Sequence, residues 1–196
     1  GYHYGTPPGG YHSPYKNPKL TDDEPGAELP LRLGRETADF IARKSESEEP
    51  FFAMLSFYSV HGPIHCSEER FKKYQAKAEK MGLTTRTDPR FLMDRTQEVR
   101  QVQDHPIYAG MMAALDDAVG LVLDAIKEAG QEENTVVIFS SDHGDNEGAY
   151  RLHGKSTFNE QSIRIPFIVM DKGGNQKAGS VDNTHLVVNG LDLLPT

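Results

Sequence analysis

Two stretches of the chain carry apolar residues at the three- and four-residue steps of an amphipathic helix. The first covers residues 31–47 and the second covers residues 106–127. Pro106 stands at the first turn of the second stretch and a glycine follows its end, which are the usual start and stop signals of a helix. A third helix is predicted over residues 68–80, because Ser67 precedes it as a capping residue. The pattern therefore predicts three helices, and the one over residues 106–127 has the clearest signals.

Three apolar runs predict strands. Residues 135–139 form an unbroken run of β-branched and aromatic residues, which is typical of a strand buried on both faces in a parallel sheet. Residues 51–58 form a second run of this kind, and residues 164–170 form the third. Between the first and third runs, residues 157–160 have the spacing of a capping box and predict the start of a short helix. Strands that alternate with helices in this way predict an α/β fold.

Composition and charge exclude several classes of protein. The formal net charge of -8 over 196 residues argues against binding of nucleic acid through a general basic surface. No apolar run is long enough to span a membrane, and the single cysteine, Cys66, rules out an internal disulfide. Residues 1–30 are rich in Gly, Pro, Tyr and His, which is typical of loop or extended chain. Because the chain has no initiator Met and ends without a helix stop signal, we expect it to be a piece of a longer protein.

Polar residues follow two of the predicted strands directly. Asp142 and His143 come just after the run that ends at residue 139, and His61 comes just after the run that ends at residue 58. Open α/β sheets bind ligands at the carboxyl edge of their strands, and a carboxylate beside an imidazole is a plausible pair of metal ligands. Each residue also has an ordinary interpretation, since Asp and Gly often end strands in turns and a lysine such as Lys155 is more often solvated. The order of the whole set decides between these interpretations.

The ordered set of motifs resembles the sulfatase family of the alkaline-phosphatase-like superfamily. The family pattern is a strand ending in Ser/Thr-Asp-(Asn/His)-Gly, a lysine, an aromatic-x-Glu helix start and an Arg-(Val/Ile)-Pro strand, with a His-x-Pro turn earlier in the chain. The matching residues here are Ser141-Asp142-His143-Gly144, Lys155, Phe158-Asn159-Glu160, Arg164-Ile165-Pro166-Phe167 and His61-Gly62-Pro63. The resemblance covers most of the chain from about Leu31 onward. It implies part of an alkaline-phosphatase-like, mixed or mostly parallel sheet flanked by helices, with residues 1–30 as a loop-rich segment and residues 31–196 as a partial sulfatase catalytic domain.

The function that this resemblance implies is hydrolysis of sulfuric esters, with sulfate removed from a sulfated small molecule or polysaccharide. Asp142 and His143 would hold a metal ion, either Ca²⁺ or Mg²⁺. Lys155 and His61 would bind the sulfate group and act in catalysis, with His61 protonating the departing alcohol. His153 would add a further contact to the substrate. The sequence does not determine the compartment, although the resemblance favours a periplasmic or secreted protein over other locations.

The nucleophile motif of the family is absent from this sequence. Sulfatases use Cys/Ser-x-Pro-x-Arg, whose first residue is oxidised to formylglycine. Cys66 and Arg70 have that separation, but Glu68 stands in place of the proline and the segment follows the histidine turn instead of preceding it. We therefore interpret Cys66 as incidental. We expect the chain to be a central part of a sulfatase, without the nucleophile region and the C-terminal subdomain, and to be inactive alone.

Two alternatives remain open. A phosphodiester or phosphonate hydrolase of the same superfamily could share the Asp-His-Gly loop and the lysine. Alternatively, this chain could belong to a different class of protein, as a non-catalytic relic that binds metal or carbohydrate. A matched assay of sulfate and phosphate esters separates the two enzymes, and a complete reading frame without any nucleophile would favour the relic.

Overall fold

The computed structural model describes residues 10–18, 20–83, 91–94, 96–100, 104–147, 149–152, 154–174 and 178–181. Within these ranges the chain forms helices and short strands in mixed order, which confirms the predicted α/β class. The helices and strands are α1 (Leu29–Ser45), α2 (Glu68–Lys80), β1 (Phe91–Asp94), β2 (Gln97–Arg100), α3 (Pro106–Glu128), β3 (Val136–Ser140), α4 (Glu160–Ile163) and β4 (Phe167–Asp171). Single 3₁₀ turns lie at Glu132–Asn134 and Ala149–Arg151.

All three long helices form where the pattern predicts them. Helix α2 covers the predicted residues 68–80, α3 extends the predicted range by one residue, and α1 lies two residues earlier than predicted. The buried face of α3 recurs at helical spacing and consists of Gly110, Met111, Ala114, Ala118 and Ile126. Gly34 of α1 lies against this face, where an added Cβ would be 2.9 Å from the carbonyl oxygen of Ala118. Small residues therefore allow α1 and α3 to pack closely.

The segment before α1 folds back on itself and supplies core residues. The backbone N–H of Leu29 donates to the carbonyl of Tyr11 at 2.9 Å, and the N–H of Gly26 donates to that of Ser13 at 2.8 Å. The side chains of Tyr11 and Tyr15 are buried in a cluster that also contains Leu20, Leu29, Cys66 and Met111. The Tyr11 hydroxyl donates to the carbonyl of Gly62 at 3.0 Å. This segment therefore connects α1 to the loop that carries His61.

Strand β3 forms where predicted, but its environment differs from the prediction. It pairs with β4 in antiparallel register, with Val136 opposite Asp171 and Ser140 opposite Phe167. The prediction that both faces are buried is wrong for the described residues, because Val136 is 58% exposed and Ile138 is 48% exposed. An unbroken apolar run shows that both faces tolerate burial, and within the described ranges no second layer covers the outer face.

The predicted strand over residues 51–58 is wrong. These residues have no regular secondary structure and pair with no described segment, and Phe52 and Met54 are 87% and 79% exposed. An apolar run forms a strand when a neighbour accepts and donates its backbone hydrogen bonds, and no described segment does so here.

The predicted short helix forms as α4, but the predicted capping box at residues 157–160 is wrong. The N-cap is Asn159, without a side-chain capping bond, and the Thr157 hydroxyl instead accepts from Asn146.

A small hairpin lies between α2 and α3, in a region where the sequence pattern predicts no strand. Strands β1 and β2 pair antiparallel, with Phe91 opposite Arg100. Of the helices in the described ranges, none has the length and apolar character that a membrane span requires.

Candidate functional site

The residues between β3 and α4 form the β3–α4 loop (residues 141–159), which contains most of the predicted site residues. At its start the Ser140 hydroxyl donates to the carbonyl of Pro166 at 3.0 Å, which ties the end of β3 to the approach of β4. The Ser141 hydroxyl then donates to the carbonyl of His143 at 2.9 Å. The backbone N–H of His143 donates to Oδ1 of Asp142 at 3.0 Å. These bonds hold Asp142 and His143 in a tight turn directly after the strand.

Gly144 packs closely against α4. Its backbone N–H donates to the carbonyl of Ser162 at 2.8 Å. A Cβ at this position would lie 2.0 Å from the carbonyl oxygen of Gln161 and 3.0 Å from that of Arg164. The close approach of the loop to α4 therefore requires a glycine at this position.

Replacement of Gly144 by alanine is expected to lower the free energy of unfolding by about 1–3 kcal/mol, because the Cβ forces the loop away from α4. Urea titration of the intact protein measures this. Gly120→Ala is the matched control, since an added Cβ there meets no atom within 4 Å and alanine favours the helix over glycine by about 1 kcal/mol. A Gly144→Ala protein as stable as the Gly120→Ala protein would contradict the prediction.

His143 and Lys155 are in direct contact. The Lys155 ammonium lies 2.7 Å from Nε2 of His143, and Nδ1 of His143 lies 2.7 Å from the carbonyl of Gly144. Because a carbonyl oxygen only accepts, Nδ1 carries the proton, and Nε2 accepts from the ammonium. The structure therefore fixes the roles of both imidazole nitrogens.

Asp142 completes this group. Its Oδ2 lies 3.5 Å from Nε2 of His143, and its side chain is 83% exposed. The carboxylate, the imidazole and the ammonium thus lie close together, directly after the carboxyl end of β3. Asp142 offers hard oxygen donors to a metal ion, whereas Nε2 of His143 is already occupied by Lys155. Within the described part of the chain, no group of three or more His, Cys, Asp or Glu side chains is placed to hold a metal ion.

His61 lies on a different loop. Its Nδ1 donates to the carbonyl of Gly62 at 2.8 Å, and the same carbonyl accepts from the Tyr11 hydroxyl at 3.0 Å. The imidazole is exposed, and Nε2 is the nitrogen left for proton transfer. No hydrogen bond or ion pair joins His61 to the β3–α4 loop in the ranges that the structure describes. The predicted substrate contact His153 lies outside the described residues.

A cavity of about 650 Å³ lies beside the β3–α4 loop. Its lining includes Tyr74, Tyr108 and the carboxylates of Asp116, Asp145 and Glu147. Burial of Tyr108 and the charges of Glu147 and Asp145 raise the pKa of its hydroxyl to about 12. The carboxylates of Asp145 and Glu147 would also repel an anion from this cavity.

Two buried polar residues were not predicted from the sequence. Asn146 is fully buried in the β3–α4 loop, and Glu28 is 8% exposed beside the start of α1. Asn is typical of exposed turns, and Glu is almost never fully buried unless it is paired. No periodic signal marks either residue. Glu28 is paired with Arg70 of α2, and Asn146 is bonded to Gly154 and Thr157 of its own loop.

Comparison with known proteins identifies relatives. The family model described as Sulfatase matches residues 5–196. The multifunctional alkaline phosphatase superfamily protein PehA of Trinickia caryophylli is 29% identical over 208 residues, which cover 88% of this chain and 40% of PehA. The ulvan-active sulfatase of Formosa agariphila is 28% identical over 192 residues, which cover 94% of this chain and 36% of that protein.

A solved structure shares the fold. The crystal structure of the protein yidJ from Bacteroides fragilis matches with a TM-score of 0.61 at 22% identity, over 80% of this chain and 34% of that chain. This chain thus spans between about a third and two fifths of the length of the proteins to which it is similar.

Proposed function

We propose that this chain, which belongs to the sulfatase family, forms part of the active site of an enzyme that hydrolyses sulfuric esters. The observation that carries the proposal is the contact between the Lys155 ammonium and Nε2 of His143, beside Asp142 at the end of β3. Hydrolysis breaks the bond between sulfur and the ester oxygen, so negative charge grows on that oxygen. A fixed positive charge at this place stabilises the transition state.

Lys155 is the group that supplies this charge. Its side chain is exposed, and its partner in the structure is a neutral nitrogen acceptor rather than a carboxylate. An ammonium bound to a carboxylate would give up a strong charge-assisted bond in order to bind sulfate. Exchange of the imidazole for a sulfate oxygen costs less, so the observed pairing leaves Lys155 available to the substrate.

His61 is proposed to protonate the departing alcohol. Its Nδ1 is held by the carbonyl of Gly62, which leaves Nε2 as the atom that would carry the transferred proton. An imidazolium is a suitable general acid near neutral pH. His153 is proposed as an additional contact to the substrate.

Asp142 is proposed as a ligand of Ca²⁺, with Mg²⁺ as the alternative, because both ions prefer carboxylate oxygens. His143 would join the metal site if Lys155 left Nε2. A bound divalent ion would supply further positive charge to the sulfate oxygens. Asp142 and His143 make two donors, so further oxygen ligands are needed from the rest of the protein.

The nucleophile is proposed to be a formylglycine located elsewhere in the protein, since this sequence contains no Cys/Ser-x-Pro-x-Arg motif. The 196 residues expressed alone should for the same reason turn over no sulfate ester. A sulfated polysaccharide is the proposed substrate class, supported by the relative that is described as an ulvan-active sulfatase.

A matched assay of the intact protein tests the proposed function. The substrates are 4-nitrophenyl sulfate, 4-nitrophenyl phosphate and a 4-nitrophenyl phosphonate monoester, which share one leaving group. The proposal predicts the highest kcat/KM for the sulfate ester, and release of inorganic sulfate from ulvan. Preference for the phosphorus esters would favour the phosphonate or phosphodiester alternative. This alternative is tested because PehA is described as a multifunctional protein of the alkaline phosphatase superfamily. Turnover of none of these esters would favour the non-catalytic relic.

A further inference from the structure

Asn146 has no role in the proposed chemistry, yet it is the most deeply buried polar residue described, at 0% exposure. Its Nδ2 donates to the carbonyl of Gly154 at 2.8 Å and to Oγ1 of Thr157 at 3.1 Å. Its backbone N–H also donates to the carbonyl of Gly154, at 2.9 Å. A buried amide with its donors satisfied holds its partners firmly, because an unmade hydrogen bond in such a place is costly.

All of these partners flank Lys155. Gly154 precedes Lys155 directly, and Thr157 follows it by two residues. The N–H of Gly154 donates in addition to Oδ1 of Asp145 at 3.2 Å, so both backbone polar groups of Gly154 are bound by residues 145 and 146. Gly154 has a φ of +75°, a conformation that suits glycine. The chain on both sides of Lys155 is therefore bonded to residues 145 and 146, through the backbone of Gly154 and the hydroxyl of Thr157.

We propose that Asn146 is a positioning residue that acts through Lys155. By holding residues 154 and 157, it places the Lys155 ammonium where it meets Nε2 of His143, at the edge where sulfate would bind. The role of Lys155 in sulfate binding rests on the proposed function, whereas its placement by Asn146 rests on the hydrogen bonds alone. The hydrogen bonds of the Asn146 side chain remain within the β3–α4 loop, so its effect is expected on the loop rather than on the helical core.

A double-mutant cycle in the intact protein tests whether Asn146 acts through Lys155. Asn146→Ala is expected to lower kcat/KM for 4-nitrophenyl sulfate by about 10- to 100-fold, as losses of supporting residues around active sites commonly do. In the Lys155→Ala background, the same replacement should lower kcat/KM by less than about twofold. An equal loss in both backgrounds would overturn the proposal.

Replacements of Thr157 provide a milder test, in case Asn146→Ala fails to fold. Thr157→Val removes the hydroxyl that accepts from Asn146 and keeps the shape, whereas Thr157→Ser keeps the hydroxyl. The proposal predicts a loss of kcat/KM for the valine variant and near wild-type kcat/KM for the serine variant. Equal kinetics of the two variants would contradict it.

Hydrogen–deuterium exchange separates this inference from the proposed function, since it needs no activity. Asn146→Ala should speed exchange in peptides that cover residues 142–157 and leave peptides of α1 and α3 unchanged. Asn134→Ala, a change at an exposed asparagine bound to Gln131 in its own turn, should change neither. If the wild-type protein hydrolyses no sulfate ester but exchange in the loop is faster in Asn146→Ala, the proposed function fails and the placement of Lys155 by Asn146 stands. Unchanged exchange in the loop would overturn the placement, whatever the activity.

Discussion

Lys155→Ala is expected to lower kcat/KM of the intact protein for a sulfate ester by about 10²- to 10³-fold, the usual loss when one charge-stabilising donor is removed from an active site. Lys155 lies in hydrogen-bond contact with Nε2 of His143 at the carboxyl end of β3. Without it, the negative charge that develops on the ester oxygen loses a fixed cationic partner. Steady-state kinetics with 4-nitrophenyl sulfate measures this loss.

The controls separate position from charge. Lys127→Ala removes an exposed lysine from the last turn of α3 and should leave kcat/KM unchanged. Lys155→Arg keeps the charge but replaces a compact ammonium with a planar guanidinium, so it should recover part of the activity only. If the kcat/KM of Lys155→Ala equalled that of Lys127→Ala, Lys155 would have no part in the mechanism.

Glu28→Gln is expected to lower the free energy of unfolding by about 3–5 kcal/mol, because it removes the charge of one partner in a buried ion pair. The Arg70 guanidinium contacts both carboxylate oxygens of Glu28, with Nε at 3.1 Å and 2.9 Å. The other end of the same guanidinium contacts Asp117 of α3 at 2.8 Å. Glu28 therefore joins the segment before α1 to α2 and, through Arg70, to α3.

Urea titration at neutral pH measures the loss. Glu68→Gln is the matched control, since Glu68 forms an exposed pair with Lys72 on α2, and such pairs contribute about 0.5 kcal/mol or less. Equal losses for Glu28→Gln and Glu68→Gln would contradict the assignment of Glu28 as the centre of this network.

The same carboxylate predicts a pH dependence of stability. Burial by itself raises the pKa of Glu28, but the His12 imidazole, the Arg70 guanidinium and the Ser67 N–H outweigh it and lower the pKa from 4.5 to about 2. A lowered carboxyl pKa contributes stability that is present above the unfolded pKa and is lost as the pH falls towards the folded pKa. The wild-type protein should therefore lose stability between about pH 4.5 and pH 2, and Glu28→Gln should lose less over that window.

The helices could be predicted from the sequence because their signals are local. Apolar residues at helical spacing, with Pro106 at the start, locate α3 to within one residue, and Ser67 marks the start of α2. Local signals also located β3 and α4. The partners of each element were harder to predict, since the apolar run at residues 51–58 gives no information about which segment would pair with it.

The candidate site shows the same division. Asp142, His143 and Lys155 were predicted together from an ordered motif, and the structure brings them into contact. Asn146 and Glu28 could not be predicted, because no local sequence pattern marks a polar residue that the fold buries. Burial of this kind is a property of the fold rather than of the neighbouring sequence.

The most direct measurement is a crystal structure of the intact protein with Ca²⁺ and inorganic sulfate bound. We expect the Lys155 ammonium at about 2.7–2.9 Å from a sulfate oxygen and an Asp142 oxygen at about 2.3–2.6 Å from the metal ion. Sulfate bound at another place, with Lys155 still on Nε2 of His143 and no metal ion at Asp142, would contradict this expectation.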